Sequence, residues 1–594
     1  MKSKALFATS LVGFILLAAM VSPRAASNAV PDQQLLSELQ ADKAQNAGLT
    51  GKGIKVGVIS AGAYNLSAVE ADGNLPKVTV VGSAGQNTSE GVAMLELVHQ
   101  VAPDAELYYC DSQPMPICVQ TMVSTYGVNI VVDDVSQGTV YFAPSDFSFM
   151  YDQLLGTYPQ LILIHAAGNF YQYNNYNEWA PTNVSIGGTT YAVQDYGKAA
   201  GKSSQPYQIF TVAKGDSLRV GVGWSDYPAF PTPSTNNFMG VWIMDGSNNV
   251  LASDTGNIST GAVTANYTNT SSGSITVRVA AGLVTQNNTD PLGVLVWSSD
   301  QLPVPSPGGA GSEYGTSTET LSIGASDQGS NQIGSFSDEG PFLQYWSASQ
   351  SGTALNGVVT LNYTRMPTVV ENHKPDLTGI DCDGVDAPNF KEIQSQFCGT
   401  SAAAPTVAGV FALVMQASGN SVSRASLVNA VEGTAKHVVG GVATGAWDGA
   451  DGYGVAQAWD AASGYIPSSA IPTPKITSPS TSKVTADTET PVPFSGSCSL
   501  KSGKVTGYSW DFGDGTAKSS SASPGNHTYK TAGTYTASFN CSASSGFSSP
   551  TPAEVVVVVS QASVSSKSGG GGMDLLMLLA LTAFVVRKCQ ASGS

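Results

Sequence analysis

The sequence predicts an α/β fold: a doubly wound parallel sheet with an inserted β-sandwich and a second, C-terminal β-sandwich. Short, mostly apolar runs such as IKVGVIS and QLILIHAAGN are typical of strands that are buried on both faces. Runs with helical spacing, such as EGVAMLELVHQV and DFSFMYDQLLGTY, lie between these strands. Strands that alternate with helices predict a parallel sheet covered by helices.

The pattern changes between residues 191 and 304. Apolar and polar residues alternate in QPYQIFTVAKGDSLRVGVGWSD and in GSITVRVAAG, and turns of Gly, Asn and Asp bound these runs. This pattern predicts an inserted β-sandwich. The α/β pattern resumes with TETLSIGASD. The predicted organisation is a signal segment at 1–27, α/β parts at 28–190 and 305–465 around the sandwich at 191–304, a Pro/Ser-rich linker at 466–477, a β domain at 478–560 and a glycine-rich tail at 561–594.

The composition argues against nucleic acid as a partner and indicates export. The chain has 594 residues, a net charge of −17 and only 12% charged residues. Its first residues combine two lysines, an apolar run and small residues, as in a secretory signal peptide. A membrane anchor is the alternative, although the apolar run is short for a span.

The seven cysteines also fit an exported protein. Cys589 is left over in the tail, and sequence alone does not determine connectivity. The simplest pairing is three local disulfides, Cys110–Cys118, Cys382–Cys398 and Cys498–Cys541.

The segment GTSAAAP, residues 399–405, places a serine at the start of an apolar helical run. It resembles the nucleophile motif of the subtilisin-like serine proteases, which implies that Ser401 is the nucleophile. The alternative is an ordinary helix cap, because Ser and Thr cap helices in any case.

The strand ILIHAAGN is similar to the subtilisin strand that ends in Ala-Gly-Asn. The resemblance implies that Asn169 donates to the oxyanion of the transition state, together with the backbone N–H of Ser401. A turn residue is the alternative for Asn169, but its position after a buried strand favours the functional role.

The base position of the family holds glutamate in this chain. EGVAMLELVHQVAPDA aligns with the subtilisin segment that begins with the base histidine, and Glu90 falls on that histidine. His99 falls on an ordinary helix position and is expected to be a packed or capping residue.

The sedolisins, relatives with the subtilisin fold, use Ser, Glu and Asp and work in acid. Their aspartate follows the glutamate by four residues, where this chain has Met94. Glu96 lies about 240° round the helix from Glu90 and faces elsewhere. The resemblance to sedolisins is therefore partial.

The orienting aspartate of the family is missing. VGVISAG matches the strand that ends in the subtilisin aspartate, but Ser60 and Ala61 stand there. Asp133 and Asp134, at the end of NIVVDD, come from a neighbouring strand, and one of them could share a proton with Glu90. The alternative is a pair of loop carboxylates that cap strand ends.

Two C-terminal segments resemble known modules. WDFGDGT and HTYKTAGTY resemble a PKD domain, a β-sandwich that mediates surface or substrate contacts, in which Trp510 is expected in the core. The tail resembles a glycine-rich C-terminal sorting signal of secreted proteobacterial proteins, which implies processing by an intramembrane protease. A plain tail anchor is the alternative.

These observations predict a secreted or cell-surface serine endopeptidase of the bacterial envelope, acting on proteins or peptides. The alternative is a pseudopeptidase, a binding or scaffold protein that kept the fold but lost the acid at Ser60 and Ala61. No cofactor or metal cluster is visible in the sequence, but a calcium site made of loop carbonyls would leave no motif, so structural calcium stays open.

Overall fold

The computed structural model describes residues 32–85, 88–111, 115–135, 142–171, 174–225, 238–255, 263–285, 293–299, 317–355, 358–387 and 396–562. The predicted signal segment, Cys589 and nearly all of the predicted tail lie outside these residues.

A mostly parallel sheet of eight strands forms the centre of the first part of the chain. Its strands are β1 Lys55–Ser60, β2 Thr79–Val81, β3 Glu106–Asp111, β4 Ile130–Asp133, β5 Ile162–Ala166, β16 Leu321–Asp327, β17 Gln332–Ile333 and β20 Leu377–Asp381. The order is β2-β3-β1-β4-β5-β16, with β20 parallel to β16 and the short β17 antiparallel to it. The chain order changes direction at β1, so the sheet is doubly wound, as the sequence predicts.

Helices cover the sheet on both faces. The α-helices of the described residues are α1 Gln33–Glu38, α2 Ala41–Asn46, α3 Leu66–Ala71, α4 Glu90–Val101, α5 Met115–Tyr126, α6 Asp146–Thr157, α7 Tyr196–Ala199, α8 Thr400–Ala417, α9 Arg424–Glu432 and α10 Ala458–Ser463. Helices α4 and α8 share one apolar core with the sheet, while α5 and α6 share another on the opposite face. Among the described residues, α8 is long and apolar enough to span a membrane, but 89% of its most apolar window is buried in the protein, as in a core helix.

Two antiparallel sheets form the inserted β-sandwich. Its strands are β6 Asn174–Glu178, β7 Pro181–Ile186, β8 Thr189–Gln194, β9 Gln208–Val212, β10 Ser217–Trp224, β11 Phe238–Met244, β12 Val250–Asp254, β13 Val263–Thr268, β14 Ile275–Thr285 and β15 Gly293–Ser299. One sheet has the order β13-β10-β15-β6, and the other has β12-β11-β14-β8-β7 with β9 on β14. The predicted start at 191 is too late, because β6, β7 and part of β8 already belong to these sheets.

A long hairpin, which the sequence pattern did not predict, follows in the second α/β part. It consists of β18 Phe342–Leu355 and β19 Val358–Asn372. Tyr345 and Trp346 of the hairpin pack with Leu295 of the sandwich in one apolar cluster, and the Trp346 indole donates to the Ser225 carbonyl at 2.5 Å. The hairpin therefore joins the sandwich to the α/β part. Two short strands, β21 Asp383–Gly384 and β22 Gln396–Phe397, pair near the end of β20.

The C-terminal β domain has a three-stranded and a four-stranded sheet. Its strands are β23 Thr473–Ser478, β24 Lys483–Asp487, β25 Val492–Ser499, β26 Val505–Asp511, β27 Gly525–His527, β28 Gly533–Ala543 and β29 Ala553–Ser560. Strand β23 pairs with β25, so residues 473–477, which were predicted as part of the linker, instead belong to the first strand of this domain. Trp510 is fully buried in the core, as predicted.

The three predicted disulfides are confirmed. They join Cys110 to Cys118, Cys382 to Cys398 and Cys498 to Cys541.

Candidate active site

The predicted site residues come from loops and helix starts at one edge of the parallel sheet. Glu90 is the first residue of α4 and Ser401 is the second residue of α8. Asp134 directly follows β4, and Asn169 follows β5. Because β4 and β5 run parallel, their carboxyl ends meet at the same edge, which is where open α/β sheets bind ligands.

The serine lies on a turn that depends on a glycine. Gly399, which precedes α8, has φ 115°, a backbone conformation that only glycine adopts readily. A Cβ atom at this position would also come within 3.2 Å of the Asn169 amide nitrogen. Ser401 is 8% exposed, so its hydroxyl sits at the surface of the core rather than deep within it. The N–H groups of this first turn have no acceptor inside the helix and carry its positive dipole end.

The Asn169 side chain is oriented by Thr400. Its Oδ1 accepts hydrogen bonds from the Thr400 N–H and from the Thr400 hydroxyl, each at 2.9 Å. The same hydroxyl accepts from the Gly168 N–H at 3.1 Å. With Oδ1 engaged in this way, the Nδ2 group is the hydrogen-bond donor that remains on the Asn169 side chain.

Asp338 is a buried carboxyl group that the sequence did not predict as a site residue. It contacts the residues on both sides of Asn169. Asp338 Oδ1 accepts from the Phe170 N–H at 2.9 Å, and the Asp338 N–H donates to the Gly168 carbonyl at 3.0 Å. Burial raises the pKa of Asp338 well above its ordinary value. Asp338 stands in a polar loop of the sequence, and nothing in its local pattern distinguishes it from a surface residue.

Glu90 lies against Asp134. The carboxyl groups of these two residues, at the start of α4 and the end of β4, interact with each other electrostatically. Burial raises the pKa of Glu90. Burial and the neighbouring charge of Glu90 raise the pKa of Asp134 well above its ordinary value, while Ser60 acts to lower it. Two carboxyl groups that interact in this way cannot both ionise easily, because each raises the cost of ionising the other.

Strand alternation separates Asp134 from Asp133. Val132 faces the core shared with α4 and α8, whereas Val131 faces the core shared with α5 and α6. Asp133 follows the second face: its Oδ1 lies 2.5 Å from Nδ1 of His165, and its Oδ2 accepts from the Tyr151 hydroxyl at 3.3 Å. Of the two candidate carboxylates, the structure therefore brings Asp134 to Glu90 and not Asp133.

The position of the missing aspartate is filled by a buried serine. Ser60 is fully buried beside Asp134, whereas Ala61 is exposed. The Tyr109 hydroxyl donates to the Ser60 carbonyl at 3.0 Å and accepts from the Gly62 N–H at 2.9 Å. The Gly91 N–H donates to the Gly62 carbonyl at 2.9 Å, which ties this loop to the start of α4.

His99 and Glu96 lie elsewhere on α4. Burial lowers the pKa of His99. Glu96 Oε2 accepts from the N–H groups of Asp386 and Ala387, at 2.9 and 3.1 Å. The two contacts of Glu96 fit the prediction that it faces away from Glu90.

Asp381, at the end of β20, is a second buried carboxyl that sequence reasoning missed. Its Oδ1 accepts from the Gly399 N–H at 2.6 Å. A ligand oxygen of Asp381 lies within 4.8 Å of the sulfur atoms of Cys382 and Cys398, a grouping that would suit a metal ion if the cysteines were thiolates. These cysteines form a disulfide, so this cluster is not a metal site.

Comparisons with known proteins identify the class of protein. The family model of the subtilase family matches residues 23–454, and that of the PKD domain matches residues 471–558. The chain therefore belongs to the subtilase family and carries a C-terminal PKD domain. No curated protein matches the chain.

Solved structures that match the chain include two proteases. MycP1 from Mycobacterium smegmatis is 14% identical, with 76% of this chain and 90% of that chain covered and a TM-score of 0.31. A lanthipeptide protease is 14% identical, with 73% and 94% covered and a TM-score of 0.34. The PKD1 domain of Vibrio anguillarum Epp is 24% identical, with 15% and 96% covered and a TM-score of 0.13.

Proposed function

We propose that the chain is a secreted serine endopeptidase in which Ser401 is the nucleophile and Glu90 is the base. The observation that carries this proposal is the contact between the carboxyl groups of Glu90 and Asp134. This contact supplies the carboxylate that is absent at Ser60 and Ala61. A pseudopeptidase would have no need of two carboxyl groups placed together at this edge, since each raises the cost of ionising the other.

The first half of the reaction forms an acyl-enzyme. The ionised carboxylate of Glu90 accepts the hydroxyl proton of Ser401 as Oγ attacks the carbonyl carbon of the peptide bond. Asn169 Nδ2 and the Ser401 N–H donate to the resulting oxyanion. The protonated Glu90 then gives its proton to the leaving amine, and the C–N bond breaks.

The second half repeats these steps with water. Glu90 accepts a proton from the water molecule that attacks the acyl carbon, and it returns the proton to Ser401 Oγ as the ester bond breaks. Asp134 keeps the remaining proton of the pair and uses it to donate a hydrogen bond to the Glu90 carboxylate. It therefore orients Glu90 as the family aspartate orients histidine.

The pH dependence follows from the charge that Glu90 must carry. Glu90 is a base only when ionised, and its pKa is raised by burial. Activity is therefore expected to rise as the pH passes through this raised pKa, which gives an acid-to-neutral working range.

The proposed location is outside the cytoplasm, at the surface or in the envelope of a bacterium. The signal-like N-terminal segment supports it, and so do the three disulfides, which persist in oxidising compartments. The substrate is a protein or peptide, and the PKD domain is proposed to bind a surface ligand or the substrate itself.

The test is hydrolysis of casein and of a peptide library by the purified protein between pH 3 and pH 8, with Ser401→Ala as the control. Hydrolysis that disappears in the variant is the expected result. Equal behaviour of the two proteins at every pH would contradict the proposal and favour a binding protein on a protease fold.

A further inference from the structure

Asp381 holds the turn that precedes the nucleophile. Its side chain is fully buried at the end of β20, and Oδ1 accepts from the Gly399 N–H at 2.6 Å and from the Cys382 N–H at 2.7 Å. Its second oxygen, Oδ2, is buried and has no hydrogen-bond partner among the described residues. A protonated carboxyl group matches this arrangement, because Oδ1 remains a carbonyl acceptor while Oδ2 carries the proton.

A disulfide closes the segment between Asp381 and Gly399 into a loop. The disulfide between Cys382 and Cys398 joins the residue after Asp381 to the residue before Gly399. Cys382 and Gly399 both have left-handed backbone conformations, with φ of 62° and 115°. The position of Gly399 therefore depends on the contacts made within this region. Asp381 makes one of them, because it accepts the hydrogen bond of the Gly399 N–H.

The charge of Asp381 matters because of where the group lies. The start of α8 carries the positive end of the helix dipole, on which the oxyanion at Ser401 depends. An ionised carboxylate bound to the N–H of Gly399 places a competing negative charge beside that helix start. A neutral carboxyl group holds the same turn without this cost to the transition state.

The groups that face Asp381 make its ionisation unfavourable. Burial raises the pKa of Asp381 to about 7, the N–H groups of Gly399 and Cys382 act to lower it, and the charge of Asp327 on β16 adds to the rise. Asp383 on β21 is a second fully buried carboxyl that interacts with Asp381, and it is itself near the acids Asp32 and Glu38.

We propose that Asp381 is a positioning residue that holds the nucleophile turn while protonated and slows the peptidase when it ionises. The alkaline side of the pH–rate profile is then set by Asp381, and the acid side by Glu90 with Asp134. This inference rests on the proposed peptidase function of Ser401.

The test compares wild type with Asp381→Asn, which keeps the Oδ1 acceptor but stays neutral. The first readout is kcat and kcat/KM between pH 4 and pH 9. If only the protonated form is active, the wild-type rate falls to roughly a tenth of its plateau one pH unit above the pKa. The variant is expected to keep its plateau there, with its acid side unchanged.

The second readout does not depend on hydrolysis. The chain has seven cysteines, so labelling with [15N]cysteine gives few amide signals in an NMR spectrum. The amide of Cys382 donates to Asp381 and is expected to titrate with it. That titration should coincide with the alkaline side of the rate profile and be absent from Asp381→Asn.

Two further variants separate charge from position. Glu432→Gln is the matched control, because burial also raises the pKa of Glu432 to about 7, but that residue lies near Lys374 and Asp376, which precede the other end of β20. It is expected to leave the alkaline side unchanged. Asp381→Ala removes the acceptor of both N–H groups, so kcat should fall at every pH while KM changes little.

The outcomes distinguish this inference from the function on which it rests. An alkaline side that persists in Asp381→Asn, or a Cys382 amide that does not titrate in the range where the rate falls, would overturn the inference and leave the peptidase intact. A wild type without Ser401-dependent hydrolysis at any pH would overturn the proposed function, and the claim about rate would fall with it.

Discussion

The two halves of the candidate site are held together by different interactions. In the nucleophile half, Asn169, Thr400 and Ser401 are positioned by hydrogen bonds between amides, a hydroxyl and backbone groups. In the base half, Glu90 and Asp134 are positioned by two carboxyl groups in contact. Amide hydrogen bonds do not change between pH 3 and pH 8, whereas the protonation of a carboxyl pair does.

This difference shows where the pH dependence of the molecule originates. The nucleophile half can be assembled at any pH, except that the buried carboxyl groups of Asp381 and Asp338 contact it. The base half has its working charge only after one proton has left the pair. Substitutions in the two halves should therefore differ in whether they change the height or the shape of the pH–rate profile.

The largest effect is expected from Glu90→Gln. It removes the proposed base and should lower kcat by about 10⁴-fold, with little change in KM, because substrate contacts are unaffected. The control is Glu96→Gln on the same helix, whose contacts are the N–H groups of Asp386 and Ala387. Steady-state kinetics across pH 3 to pH 8 measure both, and a Glu90→Gln enzyme with near-normal kcat would rule out Glu90 as the base.

Asn169→Ala tests the nucleophile half and should lower kcat by about 10²- to 10³-fold at every pH, without changing the shape of the profile. Thr400→Val removes the hydroxyl that orients the same amide and should cost less. Because both act through one donor, the double variant should be no slower than Asn169→Ala alone. Additive losses would show that Thr400 acts by another route.

Asp134→Ala should lower kcat roughly 100-fold, because Glu90 loses the group that orients it. Asp134→Asn should recover part of that loss, since an amide can donate to the Glu90 carboxylate. Asp133→Asn is the matched comparison: it faces His165 and should keep kcat per folded molecule within about threefold. Equal losses at the two positions would contradict the assignment of the two strand faces.

The smallest effect concerns stability. Buried carboxyl groups with raised pKa values, among them Glu90, Asp134 and Asp381, bind protons more tightly in the folded state. Their contribution to the free energy of unfolding is complete below about pH 4 and is lost as the pH rises through the raised values. Thermal unfolding of the full chain should therefore occur several degrees lower at pH 8 than at pH 5.

Two acids outside the α/β part behave in the opposite way. Hydrogen bonds from Asn249 lower the pKa of Asp245 in the sandwich, and those from Thr490 and Glu489 lower the pKa of Asp487 in the PKD domain. Both groups are exposed, so their effect on stability is small and is lost only as the pH falls through the lowered values.

In Asp381→Asn the fall in stability between pH 5 and pH 8 should be smaller than in wild type. An unchanged fall would show that Asp381 is not among its causes.

Motifs with local spacing could be interpreted from the sequence. GTSAAAP, ILIHAAGN and EGVAMLELVHQVAPDA each belong to a single strand or helix, and their resemblance to the subtilisin-like proteases depends on order along the chain. The alternation of strand β4 also decides which of Asp133 and Asp134 faces Glu90. It could not be used, because the two faces of a strand buried on both sides are equally apolar.

The buried carboxyls Asp338 and Asp381 could not be found in this way. Each accepts an N–H from a segment distant in sequence, at Phe170 and at Gly399. The same holds for the hairpin of β18 and β19, whose packing on Leu295 depends on the sandwich. Aspartate is common in polar loops and at strand ends, and only the packed chain shows that Asp338 and Asp381 are out of reach of water.

The sequence by itself determined the family and the parallel sheet, because local pattern and motif order encode them. It also predicted three disulfides as the simplest pairing and gave Ser401, Asn169 and Glu90 as candidate site residues. The tertiary structure decided which carboxyl faces Glu90 and which carboxyls lie beneath Asn169 and Ser401. The physical reason is that the pKa of a carboxyl group depends on burial and on neighbouring charges, and these neighbours come from strands and helices far apart along the chain.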